Sequence, residues 1–373
     1  MIVEQTANGT AYLSWLASAS ISSDAYIQII NRFGSPENCY RAFFAGPDRF
    51  AELVSPARIS ILRKRGTGSS MDFFREVTMK EKIQALQITD PDYPAALRNI
   101  QDPPPILFYK GDPECLSGRT VSMVGSRAAS YDGQKAARKI ARDLSSNGIS
   151  IISGLASGID TSAHLGCLEG GSPTAAVMAC GLDRVYPSCN QKLSDDILSG
   201  GGLLISEFAP GEKPEGWHFP VRNRIMTGLS QALILMEARI RSGSMTSVQH
   251  ALDQGKDVFV YPGDPASEKY EGNHLLLREG ALYFTSAEDI LEDMGWLDNM
   301  RHIGQNIVCS SEYIPENPEE KAVFLALKPG KLGFEELLSA TGLDASVLMS
   351  CLTIMQIRGM IESLPGKTYQ LKS

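Results

Sequence analysis

Chemistry in this chain concentrates in short loops that adjoin apolar runs. Gly125-Ser126-Arg127 follows the run 120–124. Ser153-Gly154-Leu155-Ala156-Ser157-Gly158-Ile159-Asp160 follows 149–152. Cys180-Gly181-Leu182 follows 174–179 and leads to Tyr186-Pro187-Ser188-Cys189-Asn190-Gln191-Lys192. Ser206-Glu207-Phe208 follows 203–205, and Phe219-Pro220-Val221-Arg222-Asn223-Arg224 precedes 232–236. Ser242-Gly243-Ser244 comes after that run, and Pro262-Gly263-Asp264 after 258–261. Glycine lets the backbone approach a ligand closely. Amides at helix starts near Gly133, Asp160 and Ser244 attract anions, and Arg127, Lys192, Arg222 and Arg224 add positive charge. This is the chemistry of a phosphate-binding edge. Plainer uses stand beside it: Gly154 and Gly158 in helix–strand packing, Arg222 and Arg224 in ion pairs with Glu207 or Glu237, and Lys192 as a solvated lysine. His164, His218 and His274 read as core histidines. Trp217 reads as packing, or as an exposed ring on which a base could stack.

The runs dictate the scaffold. Almost wholly apolar strands are buried on both faces, as in a parallel sheet. Between the first two, Ala136, Ala137, Ile140, Ala141 and Leu144 form a helical apolar stripe, and Lys135, Arg138, Lys139 and Arg142 face water. Alternating strands and helices predict a doubly wound, mostly parallel α/β sheet, with ligands beyond the carboxyl ends of its strands. Residues 1–80 read as a small helical module, from Leu13, Leu16 and Ala17 and then Ile27, Ile29 and Ile30. The α/β domain spans 81–297 and opens with a Pro-rich passage, Asp90-Pro91-Asp92-Tyr93-Pro94 to Pro103-Pro104-Pro105, read as an extended arm lying on it. Residues 298–318 read as a polar linker. Residues 319–373 follow as a small domain of helices with a hairpin around Pro365-Gly366, the pattern of a winged helix.

Composition bounds the function. The 373 residues are 43% hydrophobic and 21% charged, which fits a globular protein with a sizeable core. The seven cysteines are scattered and read as buried thiols of a reducing compartment. Neither a long apolar run nor a basic leader is present, which places the chain in the cytoplasm, away from membranes. No histidine spacing suits zinc, and no cofactor is expected. The net charge of −8 confines any nucleic-acid site to a local basic patch. Enzyme signatures fail: Gly125 does not open a GxGxxG, Gly366-Lys367-Thr368 lacks the first glycine of a phosphate loop, and no pair of carboxylates stands out as acid and base. No catalytic residue is expected.

The same loops carry a resemblance. Val124-Gly125-Ser126-Arg127, the Ser153–Asp160 loop with Ala163-His164, Tyr186-Pro187 with Asn190, Ile205-Ser206-Glu207, Phe219-Pro220 with Arg222-Asn223-Arg224, Glu237-Ala238, Ser242-Gly243-Ser244, Pro262-Gly263, Gly272-Asn273 and Arg278-Glu279-Gly280-Ala281 occur together in one order. In this, the stretch from about Gln87 to Ala281 resembles the DNA-processing protein A (Smf) family. The resemblance implies an extended Rossmann-like domain between an N-terminal module of SAM or helix–hairpin–helix type and a C-terminal winged helix. It implies a non-enzymatic mediator that binds single-stranded DNA, acts with single-strand-binding protein, loads a RecA-type recombinase in natural transformation, and forms a homodimer. DNA contacts carried over by position are Arg127 and Lys192, beside Asn190. On chemical grounds we add Gly125, Ser126, Ser153, Gly154, Arg222, Asn223, Arg224, Gly243 and Ser244. The chain departs from the pattern at Met245-Thr246-Ser247 and at Ala19-Ser20-Ile21-Ser22-Ser23, where the hairpin glycine is absent, so residues 1–80 are read as structural or partner-binding. Two other readings are a nucleotide-hydrolysing enzyme of a related fold and a scaffold whose DNA site is vestigial.

Overall fold

In the computed structural model, residues 2–297, 317–328, 330–357, 361–364 and 368–371 are described. They fall into two compact units, 1–300 and 301–373. The first unit opens with helices α1 (Ile2–Ala17), α2 (Ser23–Phe33), α3 (Pro36–Ala45), α4 (Pro56–Arg65) and α5 (Gly68–Lys80). They close over Trp15, whose indole is buried and donates to Leu62 O at 2.8 Å. Polar contacts tie this module to the α/β part of the same unit: Tyr26 donates to Gln87 Oε1 at 2.7 Å, and Arg65 pairs with Glu212 at 2.7 Å.

Among the described residues of this unit, nine strands form one sheet: β1 (Gln84–Gln87), β2 (Ile106–Gly111), β3 (Thr120–Val124), β4 (Ser150–Ser153), β5 (Thr174–Val177), β6 (Leu203–Ser206), β7 (Ala232–Leu235), β8 (Asp257–Val260) and β9 (Leu282–Tyr283). Their order is β1-β2-β6-β5-β4-β3-β7-β8-β9. From β6 to β9 neighbours are parallel, while β2 is antiparallel to both β1 and β6. The chain winds one way from β3 through β4, β5 and β6, then crosses back to β7 on the other flank of β3. The edge between β3 and β7 is therefore the switch point, where such sheets bind ligands. Strands β3, β4, β5 and β7 are buried at every position, as their largely apolar sequences require.

Helices flank the sheet: α6 (Ala95–Arg98), α7 (Tyr131–Ser146), α8 (Ile159–Gly170), α9 (Gln191–Ser199), α10 (His218–Leu229), α11 (Gly243–Asp253), α12 (Glu271–Arg278) and α13 (Ala287–Asp293). Two readings change here. The Pro-rich passage does not merely lie on the domain: the segment after Pro105 enters the sheet as β2, a neighbour of β1 and β6. And the segment holding Arg222, Asn223 and Arg224 is helix α10, with Pro220 tolerated in its first turn, where the missing amide hydrogen has no partner to lose.

The second unit holds α14 (Pro318–Leu327), β10 (Leu332–Gly333), α15 (Phe334–Thr341), α16 (Ala345–Ile357), β11 (Ile361–Leu364) and β12 (Thr368–Leu371), with sheet order β10-β12-β11. Val323, Leu337, Leu348, Leu352 and Met355 form its core. Helices followed by a hairpin are the winged-helix arrangement. Residues 298–316 of the expected linker, and Pro365-Gly366 of the expected wing, lie outside the described residues.

Candidate nucleic-acid interface

Close backbone packing builds the switch point. Ser126 N donates to Glu237 O at 2.7 Å, joining the loops after β3 and β7, and Ile159 N donates to Ser126 O at 3.2 Å. Gly158 has φ +80°, and a Cβ there would collide with the carbonyls of Ser126 and Arg127. Glycine is therefore required for the second loop to sit beneath the first.

Three helix starts meet this edge, and the protein's own carboxylates occupy the start of α7 and the loop that leads into α8. At α7, Gly133 N donates to Ser130 Oγ at 3.0 Å, while Ser130 N donates to both carboxylate oxygens of Glu237, at 2.9 and 3.1 Å. Glu237 is fully buried, so the protein supplies its own anion to this end of the helix dipole. In the loop before α8, Gly154 N and Ala156 N donate to Asp160 Oδ2 at 3.1 and 3.3 Å. Burial pushes the Asp160 carboxyl up, while the Arg222 guanidinium and those amides pull it back. The expectation of free amides near Gly133 and Asp160 is thus corrected. Helix α11 differs: its N-cap Ser242 makes no side-chain cap bond, and Ser242 Oγ lies 3.3 Å from Ser244 Oγ. Its first turn opens on a cavity of about 450 Å³ lined by Gly125, Ser126, Arg127, Arg222, Asn223, Gly243 and Ser244, among others.

The four expected cations part company. Arg127 stacks on the Phe219 ring, 4.2 Å from guanidinium carbon to ring centroid, and borders both this cavity and a smaller one of about 110 Å³ that also touches Gly154 and Tyr186. It has no salt-bridge partner among the described residues. Arg222 is buried; its Nη1 donates to Gly154 O at 2.8 Å and to Val177 O, bracing the ends of β4 and β5 beneath the cavity. Burial pulls its pKa down to about 10, opposed by Asp160, so it stays charged at neutral pH. Arg224 is two residues on, roughly 200° around the helix. It points away and makes a two-pronged pair with Glu207 at 2.7 and 2.9 Å. Lys192 is exposed on α9 and paired with Asp196 at 2.8 Å.

Other expected contacts turn out to be framework. Ser153 is buried and donates its hydroxyl to Met123 O at 2.7 Å. Asn190 is buried and donates to Leu155 O at 2.8 Å and Thr161 Oγ1 at 2.9 Å, anchoring the start of α9 to the second loop. Asn223 lines the cavity and donates to Gly243 O at 3.4 Å. Ser153, Asn190, Lys192 and Arg224 are thus not brought to the cavity. His164, His218 and His274 each have a ring nitrogen bonded within the framework. Sequence reasoning missed the anion-capping roles of Glu237 and Asp160 and the Phe219 ring under Arg127. An acidic residue just past a strand end was the available signal.

Residues 84–295 match the model of the family described as DNA recombination-mediator protein A. The chain belongs to the DNA recombination-mediator protein A family. Residues 311–367 match that family's winged-helix domain, in line with the second unit. Protein Smf of Synechocystis sp. is 32% identical over 392 residues, covering 96% of this chain and 98% of that protein. DNA processing protein DprA of Streptococcus pneumoniae is 43% identical over 213 residues, 57% of this chain and 75% of the relative. The X-ray structure of DNA processing protein A from S. pneumoniae superposes with a TM-score of 0.62 at 34% identity, covering 76% of this chain and 97% of that one. The Helicobacter pylori DNA processing protein A structure, described as giving insight into a single-stranded DNA binding mode, has a TM-score of 0.52 at 29% identity and covers 57% of this chain and 95% of that one. The recombination-mediator match spans every loop of the switch-point edge.

Proposed function

We propose that this chain binds single-stranded DNA on the switch-point edge, in the cytoplasm. We propose that it acts there without turnover as a homodimeric recombination mediator, loading a RecA-type recombinase onto strands coated by single-strand-binding protein in natural transformation. The observation that carries the DNA reading is Arg127, a guanidinium without an acidic partner among the described residues, held beside a cavity into which the uncapped start of α11 opens. Phosphates suit both features. The family relationship, and the single-stranded DNA binding described for the H. pylori relative, support the same reading. The family relationship favours a binding role over a hydrolytic one.

Binding of a labelled oligonucleotide, titrated with salt, tests this. Arg127, the cation at the cavity, gives an expected slope of about −0.7 in log K against log salt, at about −0.7 per phosphate contact. Joint replacement of Arg127 and Lys192 by Ala should weaken binding and flatten the slope toward zero. A double variant that binds like the wild type at every salt concentration would show that the site is misplaced.

A further inference from the structure

The switch-point edge leaves Trp217 unused. It precedes α10 and is 53% exposed, whereas the other two tryptophans, Trp15 and Trp296, are buried. It is nonetheless held in place. Its Nε1 donates to Glu215 Oε2 at 2.7 Å. Its ring meets His218 at 4.1 Å and Phe208 at 6.0 Å, both at 80°. His218 is itself stacked on Phe208 and bonded to Ala179 O. A rigidly held yet exposed indole forgoes the gain that burying so large an apolar surface would bring. Its neighbours place it between two cavities: Gly216 and Phe219 line the switch-point cavity, and Trp217 and His218 line a second, of about 430 Å³, with Leu16, Ile21 and Phe208. The Glu215 carboxylate beside the indole repels phosphate, so the chemistry at this spot suits an aromatic base and not the nucleic-acid backbone.

We infer that Trp217 is a stacking platform for one base of the strand whose phosphates lie on the switch-point edge. This rests on the single-stranded DNA reading. A base stacked on an indole gives a sequence-tolerant contact. Because no phosphate is neutralised, it leaves the salt slope unchanged.

Tryptophan emission of the full chain, titrated with an oligothymidylate, gives the test, alongside affinities by polarisation. Saturation should quench emission in the wild type. Trp217→Phe should keep most of the affinity and lose the quench. Trp217→Ala should bind roughly ten-fold more weakly with an unaltered salt slope. The exposed position makes both variants tolerable to the fold. Emission that does not move when the wild type is saturated, or Trp217→Ala binding as the wild type, overturns this inference and leaves the DNA reading standing. A wild type that binds no oligonucleotide overturns both.

Discussion

Thr174 Oγ1 donates its hydrogen to Ile151 O at 2.6 Å, so the 2.8 Å bond between Thr174 Oγ1 and His164 Nδ1 must use a hydrogen on Nδ1. His164 Nε2 is then a buried lone pair without a partner. Protonating it would create a buried charge, and burial with the field of Arg222 pulls its pKa to about 3. The unfolded chain holds more protons than the folded one from the ordinary histidine value of 6.5 down to about 3. Stability contributed by the neutral ring is therefore full above that window and is lost as pH falls through it, at up to about 1.4 kcal/mol per pH unit. Urea midpoints followed from pH 7 to about 4 should fall less steeply in His164→Leu than in the wild type. Arg222 calls for a different test. Removing it takes the donor from Gly154 O and Val177 O and the cation whose field lowers the Asp160 carboxyl, so Arg222→Met should cost about 1–3 kcal/mol. Adding Asp160→Asn should restore part of that loss in a double-mutant cycle on denaturant stability. Additive losses would mean that the two side chains do not act as a pair.

At the scale of elements, the strands were legible because a strand buried on both faces must be largely apolar, and β3 to β8 are. Their alternation with helices is enough to bring Gly125 to Arg127 and Ser242 to Ser244 to one edge. The direction of side chains on α10 was not legible. Arg222-Asn223-Arg224 behind Pro220 reads as a basic loop, and only helical geometry sends Arg222 beneath the edge and Arg224 to Glu207. Strand β2 was hidden by the prolines before it. Nor can charge sign in a sequence tell which helix start is filled: Glu237 is far from α7 along the chain, and only the fold brings it to Ser130. The start of α11, which lacks a side-chain cap, gives a prediction with opposite signs. Ser242→Asp should place a carboxylate on the amides of Ser244 and Met245 and stabilise the helix by about 0.3–1 kcal/mol. It should also weaken oligonucleotide binding by occupying the anion site. Thermal midpoints and affinities measured on the same samples check both, and a variant that gains stability with undiminished affinity would remove α11 from the site.

For the whole molecule, the question is how a chain of net charge −8 presents a site for a polyanion. The sequence offers four cations, and the fold withdraws three of them: Arg224 is neutralised by Glu207, Arg222 serves as a brace, and Lys192 is paired with Asp196 away from the cavity. What remains is a small local patch, which explains why composition argues against nucleic acid while the switch point argues for it. Nor is the last helix of the winged-helix unit basic. Helix α16, Ala345–Ile357, has the sequence ASVLMSCLTIMQI, with no lysine or arginine, and its exposed positions include Val347, Met349 and Ile354. A helix that enters a major groove needs cations for phosphates and polar side chains for base edges, and this one lacks the cations. All the residues assigned to the DNA site lie between Gly125 and Ser244, within the first unit. A chain ending at Met300 should therefore bind a single-stranded oligonucleotide within about two-fold of the full chain and with the same salt slope. A flatter slope in the shortened chain would place phosphate contacts in the winged-helix unit and contradict the reading of its uncharged helix.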